Sequence, residues 1–147
     1  MAIRATSFRR AESHGGEPFD IVVLDADERH IRRKRITLAQ GEDILVDFGK
    51  PARLEQGDHL LLEDGRVAKV VAAQEELMEV TARDQRHLVE LAWHIGNRHL
   101  PAEIAEGRIL LRRDRVIRAM LEQLGASLRE VSAPFAPEHG AYHAHDH

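Results

Sequence analysis

The residues of this chain best suited to chemistry are its histidines. There are ten in 147 residues, and His139, His143, His145 and His147 fall within the last nine. His143, His145 and His147 stand at spacing two, so in an extended segment their side chains project the same way and converge on one ion after modest bending. Imidazole nitrogen suits nickel, copper and zinc. Cysteine is absent, which removes thiolate sites, iron–sulfur ligation, disulfides and cysteine nucleophiles, so any metal is held by nitrogen or oxygen. Asp146 and His139 offer further ligands, and the segment from Pro134 spans roughly 45 Å when fully extended. The bland reading, a purification tag or a solvated low-complexity end, fits poorly with the interruptions at Ala144 and Asp146.

A second candidate is His99, in the run Trp93-His94-Ile95-Gly96-Asn97-Arg98-His99-Leu100-Pro101. By residue type this is a capped helix end: Gly96 and Asn97 permit a left-handed turn, Pro101 blocks further helix, and His99 projects from a rigid corner. On residue type alone a lone surface or hydrogen-bonded histidine is the stronger reading. Trp93, the single tryptophan, reads as a packing residue near an interface and not as a ligand.

The elements that would position these residues change character along the chain. From Asp20 to Val71 short β-type runs alternate with turns at Gln40-Gly41, Gly57-Asp58 and Asp64-Gly65; the runs are Ile21 to Leu24, His30 to Leu38, Ile44 to Phe48, Leu60 to Glu63 and Val67 to Val71. After Ala72 to Gln74 the period shifts. A strand at Leu77 to Thr81 precedes a helix with Leu88, Leu91, Ala92 and Ile95 on one face, capped by Asp84 and ended by Gly96. Two short strands turn at Glu106-Gly107, Asp114 opens a second helix through Val116, Ile117, Met120, Leu121 and Leu124, and Ser127 to Ser132 is again strand-like. The expected fold is α+β: an all-β N-terminal domain over residues 1–73, a ferredoxin-like β-α-β-β-α-β domain over 74–133, and a flexible histidine-rich tail over 134–147.

Composition narrows the function classes. The formal net charge is −4, so the chain as a whole has no electrostatic case for wrapping nucleic acid or an acidic membrane. Arg32-Arg33-Lys34-Arg35 lacks interleaved aromatics and reads as one exposed strand face. The N-terminus has no apolar signal region and no membrane-length apolar run occurs, so cytoplasm is the expected location. No HExxH, phosphate loop, nucleophile elbow or paired-carboxylate motif is present, and Asp84, Glu90, Glu103 and Asp114 read as caps and solvated faces; the expectation is a protein that is not an enzyme.

The stretch Gly96-Asn97-Arg98-His99, followed by Leu100, Pro101 and Ile104, resembles the signature of the UreE urease accessory family. The likeness continues through Gln85 to Ile104, Met120 to Gly125, Pro134 to Glu138 and Gly140-Ala141-Tyr142, and more loosely through Arg33 to Arg35, Gly57-Asp58, Asp64-Gly65 and Glu75. The resemblance implies a nickel metallochaperone for urease maturation, binding Ni2+ at His99, His143, His145 and His147, with Zn2+ or Cu2+ as competitors in vitro. It implies a homodimer bringing one His99 from each protomer to the two-fold axis, with tail histidines completing the site. Its implied partners are the urease accessory GTPase UreG and the urease apoprotein complex, and its first domain resembles a peptide-binding module of chaperones. Arg112, Arg113 and Arg115 stand where some members carry extra histidines, so no secondary metal site is expected there. The alternative is a general store or buffer for divalent zinc, copper or nickel.

Reversible carriage has a physical logic. A closed site of four rigid ligands stabilises the fold and releases metal slowly, whereas two fixed imidazoles with exchangeable tail ligands allow stepwise transfer. Binding needs neutral imidazole, whose unperturbed pKa is about 6.5, so metal loss is expected as pH falls through roughly 6. Intrinsic affinity favours copper over nickel at nitrogen sites, which leaves nickel selectivity to geometry and supply.

Overall fold

The computed structural model describes residues 2–11 and 16–138. The chain divides into two compact units, Met1–Ala73 and Gln74–His147. Among the described residues no helix is long and apolar enough to cross a membrane.

Unit 1 is built on strands β1 (Ile3–Arg9), β2 (Asp20–Leu24), β3 (His30–Thr37), β4 (Asp43–Arg53), β5 (His59–Leu62) and β6 (Val67–Ala72). They form one sheet in the order β2-β6-β5-β1-β4-β3. Alternation is clean in β2, where Asp20, Val22 and Leu24 are buried while Ile21 and Val23 are exposed, as a half-buried strand requires. Ile44, Val46, Leu60 and Val70 are fully buried and centre the core. At Asp64-Gly65 the chain reverses with Gly65 at φ +91°, a left-handed conformation that glycine adopts without a Cβ penalty.

Strand β1 was not among the runs expected from sequence, yet it is central, parallel to β4 and antiparallel to β5. A register shift between Ala5 and Ser7 breaks its period of two, so Ile3, Ala5 and Phe8 do not read as one apolar face. The run Arg32-Arg33-Lys34-Arg35 is exposed along edge strand β3, with Arg33 paired to Asp47 at 3.0 Å. Charge on an edge strand discourages pairing with foreign strands.

Unit 2 runs β7 (Gln74–Thr81), α1 (Gln85–Asn97), β8 (Glu103–Ala105), β9 (Arg108–Arg112), α2 (Arg115–Gln123) and β10 (Ser127–Pro134). Its antiparallel sheet has the order β10-β7-β9-β8. Met78, Val80, Ile109 and Leu111 of the sheet pack with Leu88, Leu91 and Ile95 of α1 and Leu121 of α2. Both helices begin as their residue types dictate: Asp84 accepts from the His87 N–H at 2.8 Å and Asp114 from the Ile117 N–H at 2.9 Å.

Residues 134–138, expected to belong to a flexible tail, are held against unit 2. Pro134 pairs with Gln74 at the end of β10, and Phe135 is fully buried beneath the Arg112 guanidinium, 5.0 Å from its ring centroid. The Ala136 N–H donates to Glu103 Oε1 at 2.9 Å, and the Glu138 N–H donates to the Ala102 carbonyl at 2.8 Å. Pro134 and Pro137 suggested an unpacked end, but a proline stiffens an extended strap as readily as it ends a helix.

Candidate metal centre

His99 owes its position to the end of α1. Leu88, Leu91 and Ile95 fasten the helix to the sheet, Arg98 is its C-cap, and the Arg98 and His99 N–H groups donate to the Ile95 and Gly96 carbonyls, each at 3.1 Å. His99 then takes φ +56°, the one positive φ of a non-glycine residue among those described. The left-handed turn expected at Gly96 and Asn97 does not fall there; both lie inside the helix. A left-handed conformation costs a residue with a Cβ roughly 1–2 kcal/mol, so its surroundings must hold it there. The Gly96 carbonyl fastens its amide, half-buried Leu100 packs on the core cluster beyond it, and Pro101 follows. The imidazole is exposed.

The strap after His99 is where the last described residue docks. Ala102, three residues on, accepts from the Glu138 N–H, and Glu138 helps line a small cavity of about 230 Å³ with Ile95, Gly96, Leu100 and Ala102. His143, His145 and His147, with His139 and Asp146, lie outside the described residues.

Among the described residues no three His, Asp or Glu side chains converge. His94 meets Trp93 edge-on at 5.1 Å. Trp93, expected as a packing residue near an interface, is 65 % exposed in the single chain, and Val89 one helical turn before it is 59 % exposed. His87 is buried and committed, with Nδ1 accepting from the Arg83 N–H at 3.0 Å and Nε2 donating to the Leu124 carbonyl at 2.8 Å. Beside it, Gly125 takes φ +87°, a conformation that favours glycine; a Cβ there would meet only the movable end of the exposed Arg83 side chain. Arg112 and Arg113 pair with Glu75 at 3.3 Å and Glu76 at 2.8 Å, which accounts for basic side chains there.

The anchor of the strap escaped the sequence reading. Its available signal was Phe135, an aromatic between two prolines, which a solvated tail has no reason to carry.

Comparison with known proteins accounts for both units. Residues 6–73 match the family described as UreE urease accessory protein, N-terminal domain, and residues 75–147 match its C-terminal domain. The chain belongs to the UreE family. Relatives named urease accessory protein UreE include one from Rhizobium rhizogenes, 52% identical over 142 residues, covering 97% of this chain and 85% of the relative. Another, from Chelativorans sp., is 55% identical over 149 residues, covering 99% and 90%. Urease accessory protein UreE 1 of Brucella suis is 58% identical over 125 residues, covering 85% and 77%. In this UreE-family chain, His99 is an exposed corner residue at positive φ, three residues before Ala102, on whose carbonyl the last described residue, Glu138, docks.

Proposed function

We propose that this chain is a nickel metallochaperone of urease maturation, binding Ni2+ through His99, His143, His145 and His147 and delivering it for assembly of the urease metallocentre. The observation that carries the reading is the docking of Glu138 on Ala102. Ala102 lies within about 11 Å of His99 by chain length, and the five residues from Glu138 to His143 span up to roughly 17 Å, so tail imidazoles reach the corner without moving either anchor. A fixed imidazole joined by tethered, exchangeable ones is a site that can surrender its ion stepwise.

A single His99 supplies one nitrogen, so the reading includes a homodimer that brings two together. The exposed pair Val89 and Trp93 gives α1 an apolar stripe suited to such a contact. Unit 2 is read as ferredoxin-like, which its β-α-β-β-α-β element order and β10-β7-β9-β8 sheet support. Unit 1 is read as the domain that docks protein partners, the accessory GTPase and the urease apoprotein among them. The protein acts in the cytoplasm as a carrier and catalyses no reaction of its own.

Calorimetric titration with nickel and zinc, with mass measured alongside, tests the site on the wild type, His99→Ala and a chain ending at Gly140. Loss of His99 is expected to remove the tightest site, and shortening the chain to weaken it. A tight site that survives His99→Ala sinks the assignment. Activation of apo-urease by the nickel-loaded protein separates a carrier from a store, which would retain the metal.

A further inference from the structure

Unit 2 buries one histidine where its two helices meet. His87 lies in the first turn of α1, 2 % exposed, between Arg83 ahead of that helix and Leu124, the C-cap of α2. Its Nδ1 is 3.0 Å from the Arg83 backbone nitrogen, and its Nε2 is 2.8 Å from the Leu124 carbonyl oxygen. A backbone N–H can only donate and a carbonyl can only accept, so the two partners fix the ring as neutral, with Nδ1 bare and the proton on Nε2. The bond to Leu124 is the one hydrogen bond that joins α1 to α2 or its cap among the described residues.

A charged ring does not fit this corner. An imidazolium carries a proton on both nitrogens, and the one on Nδ1 would point at the Arg83 N–H, donor against donor. The ring is rigid, so turning Nδ1 away also takes Nε2 off the Leu124 carbonyl. Its surroundings offer no compensation. The Arg83 guanidinium and the His87 Nε2 both lie against Gly125, so a second positive charge would stand near the first. Asp84 is engaged as the helix cap, its Oδ1 accepting from the His87 N–H at 2.8 Å, and Arg86 and Glu90 of α1 are exposed. On α2 Glu122 pairs with Arg118 at 3.5 Å. On the strands beneath, Glu79 is held by Arg108 and Arg129, and Glu130 lies 3.9 Å from Arg113 and from Arg118. No carboxylate is within ion-pair distance of the ring among the described residues. Burying an unpaired charge there is costly.

We propose that His87 is an acid-opened latch between the two helices of unit 2. Neutral, it ties the start of α1 to the end of α2. Protonated, it lets go of the Arg83 amide and the Leu124 carbonyl, and the first turn of α1 parts from the turn at Leu124 to Ala126. Buried Leu91 and Ile95 keep the second half of α1 on the sheet, so the opening is local. The open form takes up a proton that the closed form excludes, so its population rises as pH falls, in the range where histidine is the side chain that ordinarily changes charge. Glu79, held below the usual carboxylate value, loses its charge only at lower pH, so the latch opens before that acid limb is reached. The latch needs no metal and stands whether or not His99 binds one.

The test uses the metal-free full chain at stepped pH from about 7.5 to about 5.5. Nitrogen-15 NMR of the histidine rings, with the His87 signals assigned through the side chain to the backbone, reports which ring nitrogen carries the proton. Hydrogen exchange, taken relative to the unstructured rate at each pH, reports the Arg83 amide. A bare Nδ1 and a protected Arg83 amide are expected at the upper end. On acidification Nδ1 is expected to take up its proton while that protection falls in step, by up to about tenfold per pH unit for one proton. The Leu91 and Ile95 amides and those of unit 1 are expected to stay protected. In His87→Gln, whose side chain can accept from the Arg83 N–H but does not titrate, the protection is expected not to vary with pH. The proposal is overturned by a proton on Nδ1 at the upper end, by a ring that charges with no loss of Arg83 protection, or by a ring that stays neutral until the whole unit unfolds. An equal fall of protection in His87→Gln also overturns it. The two wild-type readings decide the matter even where the variant does not fold.

Discussion

The two units solve the same burial problem with different means. Unit 1 closes its core with strands alone and ties its rim with ion pairs, Arg66 reaching Glu42 at 2.7 Å and Asp64 at 2.6 Å, and Arg4 reaching Glu63 at 2.9 Å. Unit 2 covers its sheet with two capped helices and leaves Val89, Trp93, Ile104 and Val116 exposed. The comparison teaches where mobility and contact can be tolerated. A helix fastened at its cap and its apolar stripe can hold one strained residue at its end, whereas a sheet closed by strands alone keeps its exposed charge along an edge such as β3.

The largest effect that would break this contrast is in the strap. Phe135→Ala removes a fully buried ring and is expected to cost unit 2 about 3–5 kcal/mol. Hydrogen exchange read separately in each unit checks it; equal loss of protection in both would show that the two do not respond independently. The same variant loosens the root of the tail, so nickel affinity is expected to fall with it, and a change of stability with no change of affinity would show that the strap does not present the tail.

Smaller effects sharpen the picture. Asp84→Ala deletes the α1 cap and should cost about 1 kcal/mol, with fraying read by exchange of the first-turn amides. Rescue by Asp84→Asn would distinguish capping from charge. In unit 2, Arg108 chiefly, with Arg129, holds the Glu79 carboxyl below the usual carboxylate value of 4.5. Because the folded value is the lower one, this contribution is present above about pH 4.5 and is lost as pH falls through the folded value. Glu79→Gln should therefore flatten the acid limb of unit 2 stability, measured by denaturation at stepped pH. The smallest change is expected at the unit 1 rim. The Arg66 pair is a third exposed on each side, so Arg66→Ala should shift the denaturation midpoint of unit 1 the least of these variants, and the more weakly the higher the salt.

Nickel release from the proposed site is expected to give a different pH signature from that acid limb. Protonated imidazole cannot ligate, so affinity should fall as pH drops through roughly 6 while the folded units persist. Release coinciding with unfolding would mean that the ion is lost with the fold and not before it.

What the sequence determined by itself was short in range. Asp84 and Asp114 read as caps because a side-chain oxygen three residues before an amide is enough to name the contact, and Leu88, Leu91 and Ile95 read as a helix face because their spacing alone aligns them. The histidine spacing, the absence of cysteine and the family resemblance of the Gly96 to Pro101 run carried the expectation of metal binding without any fold. Tertiary structure decided what depends on distant partners. Strand β1 exists because Ile44 to Val46, some forty residues on, lie parallel to it, and nothing in Ile3 to Arg9 announces that partner. His99, not Gly96 or Asn97, became the left-handed residue because helix hydrogen bonds carried α1 to Asn97 and Leu100 had a core to join. Phe135 and Glu138 turned an expected tail into a strap because the surface offered by Arg112, Ala102 and Glu103 exists only once the sheet has formed. Local rules read the chain a turn at a time, and burial is settled by residues that meet only after the chain has folded.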